Sequence, residues 1–282
     1  MTSIVSTSYA SGTVLNALAT GIGCAFAIDL KTRVKLKVDE DLRSSFVVGG
    51  DKNSNLIATR ILSTFGIKAE IRIKSEIPVG VGLGSSSAFL NGLIVSAMKA
   101  IGEELNAFRI LRANARFALE FGMSFTGAFD DASASLLGGL VVSDNYRMKL
   151  YKREILNDYY AAILIPFDLE RMKVNFKEIR KRSLKIVHLL KFLFSNRYDK
   201  VMIENTKFYA NVLGYPLEIV KKPWKEGICC GLSGNGPSFV GFGKKDEMKV
   251  LANYWNDFGK VKVRKIQNKS PERIEIPDYL FL

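Results

Sequence analysis

The chain has 282 residues, enough for one large domain or two of ordinary size, and its 48% hydrophobic and 24% charged residues are the mixture of a packed globular protein, which excludes wholesale disorder. Lysine and arginine number 41 against 28 acids, a formal +13 that favours an anionic partner: nucleic acid, a membrane surface, or a phosphorylated or carboxylated small molecule. A single histidine, His188, leaves no multi-histidine metal centre, and three cysteines without a CxxC (Cys24, Cys229 and Cys230) argue against a disulfide framework or a zinc site.

In chain order, the first nine residues lack the basic stretch and apolar core of a signal peptide. Strict alternation at residues 33–38 and 70–74 predicts two strands with one solvated face each. Apolar residues at Phe89, Leu93, Ala97 and Ile101 predict a helix over 85–101 that Gly102 stops, and a second helix follows over 107–121 with Arg109, Arg112 and Arg116 on its polar side. Residues 139–142 and 160–165 read as short buried strands. The apolar run at 159–167 is too short to span a bilayer, so a soluble, cytoplasmic protein with no membrane partner is expected. Residues 175–194 read as one basic amphipathic helix with Phe176, Phe192 and Phe194 on its buried face, and 260–266 as a closing edge strand. His188 falls within that helix and reads as a packed or surface residue. Cys229 and Cys230 read as strand-core thiols, reduced and buried.

Charge is uneven along the chain. Residues 1–150 carry 16 basic and 13 acidic side chains, residues 151–282 carry 25 and 15, and 171–200 alone hold ten basic against two acidic. That shift, with the turn-like Ser143-Asp144-Asn145, sets an expected division into domains 1–150 and 151–282. Strands grouped with helices, rather than regular βαβ repeats, favour an α+β class.

The sharpest local feature is Pro78-Val79-Gly80-Val81-Gly82-Leu83-Gly84-Ser85-Ser86-Ser87-Ala88, between a predicted strand and a predicted helix. Spaced glycines let the backbone turn tightly and aim several N–H groups at one point, and the helix start adds unpaired donors and the positive end of its dipole. This is an anion site suited to a nucleotide's phosphates, with serine hydroxyls for phosphate oxygens or Mg²⁺. No lysine stands where a Walker A loop needs one, and the GxGxxG dinucleotide pattern fails at Ser85.

The spacing Pro-x-x-x-Gly-Leu-Gly-Ser-Ser-x-Ala in this loop resembles the ATP loop of the GHMP kinases (galactokinase, homoserine, mevalonate and phosphomevalonate kinases). Ser11-Gly-Thr-Val-Leu-Asn16 resembles their first motif, and Gly231-Leu-Ser-Gly-Asn-Gly-Pro-Ser238 their third. Within the superfamily the chain is most similar to the archaeal-type shikimate kinases, through Asn16-Ala-Leu-Ala-Thr20-Gly21, Thr126-Gly-Ala-Phe-Asp-Asp-Ala-Ser-Ala-Ser135 and Ser233-Gly234-Asn-Gly236-Pro237. The resemblance implies a two-domain kinase with its active site in the interdomain cleft, ATP and Mg²⁺ as cofactors, and shikimate as acceptor at its 3-hydroxyl. It also implies a phosphate cradle at 78–88 and substrate-side positions at Asn16, Thr20, Gly234 and Gly236. Homoserine kinase or another GHMP activity is the alternative, and a nucleic-acid-binding protein on a kinase-like fold is the alternative of another class.

Asp130 and Asp131 stand side by side in a small, apolar stretch, so one acid can face a substrate while the other orients it. Phosphoryl transfer to an alcohol needs a group that accepts the hydroxyl proton as the O–P bond forms. The resemblance assigns that role to Asp130, with Asp131 behind it or itself the base, and a Mg²⁺ site to Ser86 with Glu120. Many superfamily members carry a lysine after the first-motif glycine, whereas this chain has Thr13. A partner for the shikimate carboxylate is also needed, preferably an arginine, and the sequence does not rank the candidates.

Overall fold

The computed structural model describes residues 3–282. The chain opens on a long antiparallel hairpin of β1 (Ser3–Leu15) and β2 (Ile22–Val38). It continues through β3 (Phe46–Val47), α1 (Lys52–Ser63), β4 (Ala69–Ser75), α2 (Ser85–Ala100), α3 (Ala107–Glu120), α4 (Phe129–Leu137), β5 (Leu140–Asp144) and β6 (Lys149–Glu154). Then follow β7 (Tyr159–Pro166), α5 (Phe176–Lys181), α6 (Leu189–Phe194), α7 (Tyr198–Leu213), α8 (Glu218–Lys225), β8 (Cys230–Leu232), β9 (Phe239–Lys244), α9 (Lys245–Trp255) and β10 (Gly259–Lys265). The strands form two sheets: one in the order β3-β4-β2-β5-β6 with β1 also on β2, the other antiparallel in the order β10-β7-β9-β8.

The hairpin serves two cores. Its pairing slips between Tyr9 and Ala10, and such an irregularity bends and twists a strand pair. On one side of the slip Cys24, Phe26 and Ile28 pack into the core of the second sheet, where the Phe26 and Phe242 rings lie 4.9 Å apart. On the other, Val34 and Leu36 pack with α1 to α4 into the first core. β1 escapes a hydrophobicity pattern because it buries serines: Ser6 donates to the Gly92 carbonyl (2.8 Å) and accepts from Ser96 (2.8 Å), so α2 satisfies the buried hydroxyl.

Asparagines fasten the helices behind the cleft. Fully buried Asn114 on α3 donates to the Ser87 carbonyl (2.9 Å) and to Asn91 Oδ1 (2.7 Å), and Asn91 donates to the Ala132 carbonyl on α4 (2.9 Å). β6 spans residue 150 and completes the first sheet, and the tail after β10 also returns there. Glu272 in that tail accepts from the Thr7 N–H (2.7 Å) and pairs with Lys99 (2.5 Å).

The alternating segment 260–266 is an edge strand as expected, β10, whose lysines discourage further pairing. The basic segment 175–194 is not one helix. It breaks into α5, a 3₁₀ turn at Ser183–Lys185, and α6. Arg180, Lys181, Arg182 and Lys185 crowd like charges onto the break, while Ile179, Ile186 and Leu189 stay buried across it, so packing survives without continuous helix. No helix among the described residues is long and apolar enough to cross a membrane.

Candidate active site

Two helix N-termini open onto one cleft of about 410 Å³. The first is α2. Gly84 caps it in the left-handed region, and the first intrahelical bond runs from the Ala88 N–H to the Gly84 carbonyl (2.9 Å), so the amides of Ser85, Ser86 and Ser87 precede any helical partner. The second is α4, which is capped by Ala128 with φ of 48° and carries Asp130 and Asp131 in its first turn, where the helix dipole favours negative charge.

Three glycine-bearing segments, distant in sequence, are laced together beneath α2. Ser233 Oγ donates to the Gly82 carbonyl (2.8 Å), the Ser238 N–H to the Val81 carbonyl (3.1 Å), and the Gly234 N–H to Thr13 Oγ1 (2.8 Å). Gly82 has φ of 86°, and a Cβ there would collide with the Ser233 carbonyl, so the contact needs glycine for both conformation and space. Thr13 is 3% exposed and committed to this lacing through its side chain.

The two aspartates differ in surroundings. Asp130 is 5% exposed, packs against Gly23 on β2, and is held by Asn145, which donates to its Oδ1 (2.9 Å) and to Thr126 Oγ1 (3.2 Å) and accepts from the Asp130 N–H (3.2 Å). Burial raises its pKa above the ordinary carboxylate range, against the lowering hydrogen bond from Asn145. Asp131 is half-buried and accepts from Ser11 Oγ (2.7 Å). Burial first and the neighbouring Asp130 charge second push it up to about 7, while Ser11 and Arg171 act in the opposite direction.

Other expected positions fall in three groups. Gly82, Leu83, Gly84, Ser85, Ser86 and Ser87 line the cleft, as do Asn16, Gly234 and both aspartates. Val79 lies beside a second cavity, and Pro78, Gly80, Val81 and Ala88 line neither. Thr20 bonds within its own turn to Ile22, and Gly236 lies beneath the Tyr215 ring, so neither reaches the cleft. Glu120, expected beside Ser86, lies outside: its carboxylate pairs with Arg60 (2.8 Å) on the solvent side of α3.

The second cavity, about 510 Å³, shares Ser85 and Ser86 with the cleft and is walled by Leu56, Ile57, Phe89 and Phe121. Sequence reasoning missed this apolar annex, because nothing in 52–63 marked α1 as part of a site. It also missed Asn145, read only as a turn, and Arg171 and Lys173, which line the cleft from the extended segment between β7 and α5. Their trace was the basic run at 171–200. His188 is exposed, and burial pushes the Cys24 and Cys230 thiols well up, which leaves them inert. No group of three or more His, Cys, Asp or Glu among the described residues is placed to hold a metal by itself.

The family described as GHMP kinases N terminal domain matches residues 54–139. A shikimate kinase of Archaeoglobus fulgidus is 50% identical over 273 residues, covering 97% of this chain and 96% of that protein. The shikimate kinase of Pyrococcus furiosus is 35% identical over 263 residues, covering 88% and 94%. Among solved structures, a homoserine kinase from Cytophaga hutchinsonii aligns with a TM-score of 0.71 at 19% identity, over 95% of this chain and 96% of that one. The mevalonate kinase of Methanococcus jannaschii gives 0.67 at 17%, over 94% and 99%. These two likenesses bear out the α+β kinase fold.

Proposed function

The chain belongs to the archaeal-type shikimate kinases of the GHMP kinase family, and from that premise we propose how its own residues perform the reaction. It is a shikimate kinase, transferring the γ-phosphoryl group of ATP to the 3-hydroxyl of shikimate to give shikimate 3-phosphate and ADP. The observation that carries the assignment of parts is the meeting of two unlike helix N-termini on one cleft, one offering bare amides and the other two carboxylates.

The amides of 85–87 and the Ser85 and Ser86 hydroxyls cradle the nucleotide's phosphates, with the dipole of α2 favouring their charge. The apolar annex beside them takes the purine ring, between Leu56 and Ile57 of α1 and Phe89 of α2. Asp131 accepts the proton of the 3-hydroxyl as that oxygen bonds to the γ-phosphorus and the bond to the β–γ bridging oxygen breaks. Ser11 orients the carboxylate, and Asp130, clamped by Asn145, fixes the start of α4 and keeps Asp131 less acidic than an isolated aspartate. These roles reverse the family-based assignment, since Asp131 is the more open of the two.

The donor set suits Mg²⁺, which keeps several waters and takes oxygen from phosphates plus one or two protein groups. Ser86 would hold it together with the nucleotide, and the ion would neutralise charge on the transferring phosphoryl group. Glu120, engaged with Arg60, is left out of this reading. We draw the domain boundary at 155–158, after β6, with the tail beyond β10 assigned to the first domain.

Purified protein, ATP and Mg²⁺ with shikimate, homoserine or mevalonate in turn tests the reading. ADP should form with shikimate alone; turnover of homoserine or mevalonate in its place would overturn it.

A further inference from the structure

A cleft that holds two adjacent carboxylates and a nucleotide's phosphates repels an acidic acceptor unless a cation offsets them. The first-motif position where many superfamily members have a lysine is Thr13, already spent on holding Gly234. Among the residues that line the cleft only Arg171 and Lys173 are cationic, and neither forms an ion pair among the described residues. Both come from the segment between β7 and α5 and line the cleft beside the two aspartates.

That segment is fixed. The Met172 N–H donates to the Tyr215 hydroxyl (3.0 Å), which itself lies 3.0 Å from the Asn235 carbonyl and 3.2 Å from the Glu170 carbonyl. The Tyr215 ring rests on Gly236, where any Cβ would collide with it. Residues 170–172 are therefore pinned to the same turn that backs the phosphate loop. The Phe176 and Phe125 rings stack at 5.1 Å and 8° between planes, joining the start of α5 to the loop before α4. An exposed arginine on such a tethered backbone has its root in place and its guanidinium free.

Arg171 is preferred to Lys173 on two grounds. Its charge is the one felt at Asp131 and at Tyr215. Its planar fork also matches a carboxylate through two parallel N–H···O bonds, which an ammonium cannot do.

We propose that Arg171 binds the carboxylate of shikimate and, by fixing that end of the ring, sets the 3-hydroxyl against Asp131; this rests on the shikimate reading above. Carboxylate and reacting hydroxyl sit on different ring carbons, so a clamp on one orients the other. Arg171 is thus a specificity-determining residue. It makes the enzyme select an acid and reject a neutral polyol of the same shape.

The test compares shikimate with its methyl ester, which keeps the ring and hydroxyls and loses the charge, in steady-state assays of wild type, Arg171→Ala, Arg171→Lys and Lys173→Ala. Removing one partner of a desolvated, hydrogen-bonded charge pair costs on the order of a hundredfold in binding. Arg171→Ala should raise KM for shikimate by about that factor, leave KM for ATP within about twofold, and bring the acid-to-ester ratio of kcat/KM close to one. Arg171→Lys should restore part of the ratio, and Lys173→Ala should keep most of it. A wild-type ratio in Arg171→Ala, or its collapse in Lys173→Ala alone, overturns the assignment. An unchanged KM with only kcat reduced overturns it too. Failure of the wild type to phosphorylate shikimate at all would instead strike the parent reading.

Discussion

Replacing Asp131 by asparagine keeps the acceptor that Ser11 Oγ meets at 2.7 Å and deletes both the charge and the proton-accepting oxygen. A positioned general base contributes about 10²–10⁴ in rate, so kcat should fall by that factor, or about 3–5 kcal/mol of barrier at 1.36 kcal/mol per tenfold. Asp130→Asn is the control with the opposite signature. Its amide oxygen can still accept from Asn145, so kcat should stay within about tenfold, but the like charge beside Asp131 is gone. In the proposed role Asp131 works ionised, and its pKa is raised, so kcat/KM of the wild type should decline as pH falls through about 7. Burial, the larger cause, remains in Asp130→Asn; the second cause is removed, so this acid limb should move down by about one pH unit. Single-turnover quench measurements from pH 5 to 9, which exclude product release from the observed rate, read both effects. Retention of more than a tenth of kcat in Asp131→Asn, or an acid limb that stays put in Asp130→Asn, refutes the division of labour.

Gly82→Ala, which drives a methyl into the Ser233 carbonyl at a positive φ, should lift KM for ATP at least tenfold and lower Tm, as read by nucleotide titration and a thermal melt. Asn114→Ala strands Asn91 Oδ1 in a fully buried place, a loss of about 1–3 kcal/mol that urea unfolding measures; a change below about 0.5 kcal/mol would contradict the account of that junction. Phe89→Asp puts a charge into the apolar annex and should weaken ATP far more than shikimate. Equal weakening of both would place the purine elsewhere.

The parts of the fold that could be read from the sequence are those where one face is apolar and the other wet. Residues 33–38 and 70–74 alternate because one side of β2 and β4 meets the first core, and 85–101 shows helical spacing because α2 packs over that sheet. β1 was invisible for the converse reason: its inward residues Ser6, Ser8 and Ser11 are polar and 0% exposed. The glycine-serine loop and the acidic pair stood out because glycine and aspartate have few structural reasons to cluster as they do. Division of labour between Asp130 and Asp131 depends on Asn145, Ser11 and Gly23, which reach α4 from two other strands and a turn. Arg171 is one of ten basic residues in thirty, and only the path of the chain past Tyr215 distinguishes it from the rest.

Ser233 supports Gly82 across a sequence separation of 151. The entropic cost of closing a loop grows only slowly with its length, and the stretch at 78–88 cannot supply this partner itself. Consequently the shape of the glycine loop depends on a contact that its own stretch of sequence does not contain. A nascent chain that already has the helix start and its serines still lacks the turn at 233–238 that holds their approach loop in shape. The segment at 170–172 is tied through Tyr215 to that same turn. One turn therefore supports both walls of the cleft, so a lesion at 233–238 disturbs the two together.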